Sequence, residues 1–155
     1  MNKVRKNKLI LQQLNSKLEL FRRTRQITPP VDGWIHTVRT ALNMSLRQLA
    51  KRLEITPQGV KKLEQREKNS SITLKNLREA GNVLNLQLVY GFIPKEGSLE
   101  KMIEKKAYEI AKEIVMRTSH NMMLEDQQNS KQRIEKAIKE RAEEIKNEMP
   151  GYLWD

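Results

Sequence analysis

The sequence lacks cysteine altogether among its 155 residues. This lack excludes a disulfide framework, and it also excludes a thiolate as metal ligand or nucleophile. No apolar run approaches the ~18 residues that a membrane-spanning helix needs. The basic start is not followed by an apolar stretch and a small-residue cleavage site, so no secretory signal is predicted. We therefore expect a cytoplasmic protein.

Histidine is also scarce, with only His36 and His120 in the chain. A zinc site needs several ligands at suitable spacing, and His120 with Glu125 and Asp126 provides too few. The sequence has no Ser–His–acid arrangement with local support, no glycine-rich phosphate loop and no nucleophile elbow. We predict that the protein is not an enzyme and that it binds no cofactor or metal.

Positive charge is abundant, with a formal net charge of +11. Residues 1–28 carry 8 Lys or Arg against 1 acid, residues 29–92 carry 10 against 5, and residues 93–155 carry 12 against 13. The excess is thus confined to the first 92 residues. Such a distribution is typical of a basic surface that binds phosphate groups, although a solvated basic surface without a partner gives the same charge count.

The hydrophobic pattern predicts a mainly α-helical chain. Apolar residues at steps of three and four predict helices over 8–26, 33–42, 98–119 and 130–148, and three further helices that begin at Ser45, Thr56 and Thr73. Residues 87–93 are rich in apolar, β-branched and aromatic side chains and predict one strand. A single strand needs a partner, which a second subunit can supply.

Three domains are expected from this organisation. They are a basic N-terminal helix over 1–28, a DNA-binding domain over 29–86, and a segment over 87–155 with the strand and a C-terminal helical hairpin. The third segment is nearly neutral and richest in long apolar stripes, so we expect it to form a dimer or bind a partner. The basic N-terminal helix is either an arm along the DNA backbone or an intramolecular brace.

The start signals of two helices carry the functional prediction. Ser45 and Gln48 have the spacing of a capping box. Thr56 is a good N-cap, and Pro57 follows at the first helical position, where its missing donor costs nothing. Two short helices joined by a three- or four-residue turn form the minimal DNA-reading unit, whose second helix lies in the major groove.

If Val60 and Leu63 anchor the second helix, its opposite side faces the DNA. The side chains and backbone expected to read bases belong to Gln58, Gly59, Lys61, Lys62 and Gln65. Those expected to contact phosphates are Ser45, Arg47, Lys51, Arg52, Thr56 and Lys68. The plain alternative is that these are ordinary solvent-facing residues of a small helical domain.

The capped helix, turn, second capped helix and loop resemble the phage-repressor, or xenobiotic-response-element, type of helix-turn-helix. The resemblance covers residues 34–86 and is carried by residues 45–53 and 60–64. The sequence departs from that family at two positions. Leu46 stands where the family often has a DNA-contacting Gln, and Pro57 where it often has a polar base reader.

A second resemblance extends over nearly the whole chain. The segments 29–35 (PPVDGWI), 88–90 (LVY), 119–127 (SHNMMLEDQ) and 153–155 (LWD) are similar to the family called mobile mystery protein A. The resemblance implies a regulator carried on mobile elements beside mobile mystery protein B, whose Fic domain transfers AMP to proteins. It implies an antitoxin-like role and repression of its own operon.

The resemblance supplies no inhibition mechanism. Known Fic inhibitors often carry a Ser or Thr four residues before a Glu that precedes Gly or Asn. Glu96 is the one such Glu here, and Phe92 occupies the earlier position. Neutralisation by an intruding glutamate is therefore not predicted.

We predict a sequence-specific transcriptional repressor that binds double-stranded DNA as a homodimer. The residues expected on its dimer or partner surface are Val89, Tyr90, His120, Met122, Met123 and Trp154. The two methionines can instead pack between the last two helices, and the tryptophan can dock on its own domain. Two other functions stay open: a protein-binding antitoxin for which DNA is secondary, and a nucleoid-like binder without sequence preference.

Overall fold

The computed structural model describes residues 3–119 and 127–155, and only the backbone of residues 127–130. These residues are mainly α-helical, as predicted. Their α-helices are α1 (Lys3–Phe21), α2 (Trp34–Ala41), α3 (Leu46–Leu53), α4 (Pro57–Lys68), α5 (Leu74–Val83), α6 (Leu99–Thr118) and α7 (Gln127–Glu148). Two 3₁₀ helices cover Arg22–Gln26 and Gly151–Trp154.

The chain divides into two compact units. The central unit is Thr24–Gly91, and the terminal unit combines Met1–Arg23 with Phe92–Asp155. The central unit therefore contains α2 to α5, and the terminal unit contains α1, α6 and α7.

The helix starts of the central unit form where the cap signals predict them. The Ser45 hydroxyl accepts from the Gln48 amide at 3.2 Å, and Gln48 Oε1 accepts from the Ser45 amide at 2.8 Å. Thr56 accepts from the Gly59 amide at 3.0 Å, and Thr73 caps α5 in the same way. Each cap satisfies an amide that lacks a partner within its helix. The predicted capping box and the predicted Thr56 cap are confirmed, and the predicted helix start at Thr73 is a cap of the same kind.

One hydrophobic core holds the central unit together. Its buried members are Ile35, Leu49, Ala50, Val60, Ala80 and Leu84. They come from all four helices, so each short helix is stabilised by its packed face more than by its own propensity. Leu46 is half-buried and packs against this core. This position accounts for its departure from the polar residue common in phage-repressor domains.

The terminal unit has its own core, built on α6 and α7. Its buried members are Ile103, Ala107, Ala111, Ile138, Ile145 and Leu153. The α1 helix joins them through Leu11, which packs against this core. Asn15 Oδ1 accepts from the Leu99 amide at 3.3 Å, and its Nδ2 donates to Glu100. These contacts are of the kind that an intramolecular brace makes.

The prediction of a strand over residues 87–93 is wrong. Residues 3–119 and 127–155 contain no strand, and residues 87–93 form neither helix nor strand. Local composition favours an extended backbone here, but a strand forms only when a second strand shares its hydrogen bonds. The remainder of the described chain is helical or irregular and offers no such partner.

The described ranges contain no helix that is both long and apolar enough to cross a lipid bilayer. Within the same residues, no group of three or more His, Asp or Glu side chains is placed to hold a metal ion.

Candidate nucleic-acid interface

A three-residue turn joins α3 to α4. Glu54 ends α3 in the left-handed conformation, with φ of 56°, and the Ile55 amide donates to the Ala50 carbonyl at 3.0 Å. Thr56 then caps α4, and Pro57 occupies its first turn. This is the helix, turn and helix that the cap signals predicted.

Replacing Glu54 with glycine is expected to stabilise the central unit by about 1 kcal/mol, because the left-handed conformation costs an L-residue about that much. Urea denaturation followed by circular dichroism measures the change. Glu54→Ala removes the same carboxylate but keeps Cβ, so it is the matched control and is expected not to stabilise. Equal gains in both variants would attribute the effect to charge and contradict the backbone explanation.

The inner side of α4 combines apolar packing with a buried ion pair. Val60 is fully buried and Leu63 half-buried, as the sequence predicted. Glu64 Oε1 lies 2.6 Å from Arg39 Nε on α2, and Arg39 Nη1 donates to the Met44 carbonyl at 2.9 Å. Both charged side chains are 9% exposed. This pair was not predicted from the sequence, because its members are 25 positions apart and charged residues are ordinarily assigned to the surface.

The electrostatics of Glu64 favour its ionised form. Burial acts to raise its pKa, but hydrogen bonds from Arg39 and His36 outweigh burial, and the pKa is lowered from 4.5. His36 Nδ1 lies 3.0 Å from Glu64 Oε2. A carboxylate held by two such partners is charged at neutral pH, and it ties α4 to α2.

The outer side of α4 carries the predicted base-reading residues. Gln58, Lys61, Lys62 and Gln65 are all exposed, and neither lysine pairs with an acid among the residues that the structure describes. Gln65 Nε2 donates to Asn69 Oδ1 at 3.2 Å, so a base contact by this amide must use its remaining groups. Gly59 is half-buried, and a Cβ there would lie 3.3 Å from Thr56 Oγ1. A side chain at that position would crowd the N-cap.

The predicted phosphate contacts fall into three environments. Arg47, Lys51 and Arg52 are exposed on α3 without an acidic partner in the described chain. The hydroxyls of Ser45 and Thr56 are engaged in helix caps. Lys68 is engaged too, since its Nζ donates to Asp32 Oδ1 at 2.8 Å. That hydrogen bond, with the lysine charge, lowers the pKa of Asp32.

The predicted dimer or partner residues do not lie together in one unit. Val89 and Tyr90 are exposed in the central unit, and Trp154 is 57% exposed in the terminal unit. Residues His120, Met122 and Met123 lie outside the described residues. Phe92, which is not among the residues predicted for this surface, is 82% exposed. It lines a groove of about 540 Å³ with Trp154 and other apolar side chains of the terminal unit, among them Leu18, Leu99 and Met102.

Comparison with known proteins gives one match. The family described as Helix-turn-helix matches residues 35–90, which include α2 to α5. No curated protein and no solved structure matches the chain. The match confirms the predicted type of domain, which belongs to regulatory DNA-binding proteins. Residues 35–90 therefore form a helix-turn-helix domain, and the chain is a DNA-binding regulator of transcription.

Proposed function

We propose that the protein is a sequence-specific repressor whose α4 helix lies in the major groove. The observation that carries this proposal is the two-sidedness of α4. Val60 and Glu64 hold its inner side to the core, and two glutamines and two unpaired lysines occupy its outer side. Glutamine can form a bidentate pair with adenine, and lysine can reach guanine acceptors.

Phosphate contacts are assigned to α3. Its exposed cations Arg47, Lys51 and Arg52 need not break an ion pair before they meet DNA. Contacts of this kind fix the register of the domain on the duplex but carry no sequence information. Lys68 is a weaker candidate, because phosphate has to compete with Asp32 for its ammonium group.

We place two copies of the chain on each site. Two reading helices about 34 Å apart match one turn of the duplex, which gives a palindromic operator. The exposed apolar side chains of Val89, Tyr90, Phe92 and Trp154 support an association through residues outside α3 and α4. Light scattering after size exclusion is expected to give the dimer mass, and a monomer at micromolar concentration would contradict this part of the proposal.

In vitro selection from a random duplex pool tests the proposed function. We expect wild-type protein to enrich a palindrome whose half-sites are one helical turn apart. Gln58→Ala and Gln65→Ala are each expected to relax the preference at one position of the half-site, since each removes one base contact. Enrichment of no sequence would contradict the proposal and favour a nucleoid-like binder.

The antitoxin-like role and the repression of its own operon rest on the likeness to mobile mystery protein A. The exposed groove beside Phe92 and Trp154 is a suitable surface for a protein partner with a Fic domain. Co-expression with a neighbouring Fic-domain protein is expected to give a complex that survives Lys61→Glu and Lys62→Glu. Separate elution of the two wild-type proteins would contradict direct binding. Autorepression is tested independently, with a reporter gene under the control of the operon's own promoter, whose expression the protein is expected to lower.

A further inference from the structure

The first turn of α2 is capped by a side chain from α4. Glu67 Oε1 accepts from the Trp34 amide at 2.8 Å, and Glu67 Oε2 accepts from the Ile35 amide at 2.9 Å. The residue at the N-cap of α2 is Gly33, which has no side chain to do this. Each carboxylate oxygen therefore satisfies one of the amides that a helix start leaves without a partner.

Gly33 is the residue that allows this approach. Its φ is +84°, and a Cβ at this position would lie 2.9 Å from both Cδ and Oε2 of Glu67. A larger residue would therefore be strained in its backbone and would also displace the carboxylate. Gly33 and Glu67 form one arrangement, although 34 positions separate them in sequence.

This arrangement adds a second anchor to α4. The first anchor is Glu64 in the middle of the helix, and Glu67 lies one turn nearer the C-terminus. Gln58 precedes Glu64 by six residues, which is about 9 Å at the rise of an α-helix. If α4 tilted by roughly 6° about Glu64, Gln58 would move by about 1 Å, more than a bidentate contact with a base tolerates.

We propose that Glu67 is a positioning residue for DNA recognition, which fixes the tilt of α4 through the first turn of α2. The inference rests on the proposed reading of bases by α4. Loss of the Glu67 contacts removes no predicted DNA-contacting side chain, but it allows the base-reading side chains to shift. It therefore lowers discrimination between sequences, while sequence-independent binding to phosphates is kept.

The test compares Glu67→Gln with Glu79→Gln. Both replace one glutamate of the central unit by its isosteric amide, and Glu79 is an exposed residue of α5 with no ion pair to any described residue. Glutamine at position 67 has one acceptor for two amides. We expect the ratio of Kd for a random duplex to Kd for the selected site to fall about tenfold in Glu67→Gln. This is about the factor in affinity that one base contact contributes. We expect the ratio to change less than about twofold in Glu79→Gln, with random-duplex Kd equal in the two variants.

Gly33→Ala separates positioning from a general loss of structure. In the wild-type background it is expected to lower the ratio as Glu67→Gln does, because the new methyl group displaces the carboxylate. In the Glu67→Ala background it is expected to leave the ratio within about twofold, because no carboxylate remains to be displaced. The backbone strain at position 33 is common to both backgrounds and is expected to lower stability, not the ratio. Circular dichroism at the assay temperature shows that each variant is folded.

The outcomes distinguish this inference from the proposed function. If wild-type protein prefers a selected site and Glu67→Gln keeps the full ratio, the positioning role is wrong and base reading by α4 stands. An equal effect of Gly33→Ala in both backgrounds would also overturn the positioning role. If wild-type protein prefers no site, the proposed function fails, and the positioning role fails with it.

Discussion

Replacing Arg39 with methionine is expected to destabilise the central unit by about 3 kcal/mol at neutral pH. The substitution leaves the buried carboxylate of Glu64 without its guanidinium partner, and an unpaired buried charge is costly. It also removes the donor to the Met44 carbonyl. His36 remains 3.0 Å from Glu64 and compensates part of the loss, so we place the effect at the low end of the range for a broken buried pair.

The cost of Arg39→Met is expected to shrink as the pH falls. In the wild type the folded-state pKa of Glu64 is lowered from 4.5, so the stability that ionised Glu64 contributes is present above that value. This stability is lost as the pH falls through the folded-state pKa. In the variant the guanidinium is gone, and burial favours the neutral acid. Protonation of Glu64 therefore raises the free energy of unfolding of the variant, while it lowers that of the wild type.

Urea denaturation at neutral pH and near pH 4.5 measures both effects. Arg39→Met with Glu64→Gln is the control, because it retains His36 and removes only the titrating carboxylate. We expect the double variant to be more stable at neutral pH than Arg39→Met alone. A cost below about 1 kcal/mol, the range of an exposed pair, or a cost that is unchanged at low pH, would contradict the account of this ion pair.

The double substitution Lys61→Glu and Lys62→Glu is expected to weaken binding to the selected site at least about 100-fold. Each lysine is assigned a contact in the groove, and a specific base contact contributes about 1–3 kcal/mol. The new carboxylates also repel phosphate. Both side chains are exposed, so folding is expected to change little. Fluorescence anisotropy over a range of salt concentrations measures the affinity and its salt slope.

Lys101→Glu with Lys112→Glu is the matched control for charge. These lysines are exposed on α6 in the terminal unit, and the substitutions change the net charge by the same amount. No DNA contact is assigned to either lysine. Because salt at physiological strength screens exposed charges beyond roughly 8 Å, their replacement is expected to change the affinity for DNA little. The salt slope is expected to flatten only for the α4 variant. Equal losses of affinity in both variants would show that net charge, and not the outer side of α4, determines binding.

Most of the fold was predictable because its determinants are local. Ser45 with Gln48, and Thr56 with Pro57, fix helix starts through contacts within four residues, and the structure forms them there. The strand over residues 87–93 failed for the opposite reason, since a strand depends on a partner elsewhere. Residue type alone would place the apolar Trp34 and Leu42 inward, yet both are exposed, whereas Ile35 and the charged Arg39 on α2 are buried.

The candidate site was only half predictable. Its outer side follows from helical spacing once Val60 is placed inward. Its anchors, Arg39 with Glu64 and Gly33 with Glu67, join charged or glycine positions far apart in sequence, and no periodicity reveals them. Near the C-terminus, composition singles out Trp154, but the structure buries its neighbour Leu153 completely. Which side of a short 3₁₀ helix faces a core is set by packing and not by residue type.

The most direct test of sequence reading by α4 is a competition titration with wild-type protein at about physiological salt. It compares Kd for the selected duplex with Kd for a duplex of the same composition in scrambled order. The account predicts at least about 10³-fold tighter binding to the selected duplex, the lower bound for specific DNA-binding proteins. Equal affinity for the two duplexes would contradict it.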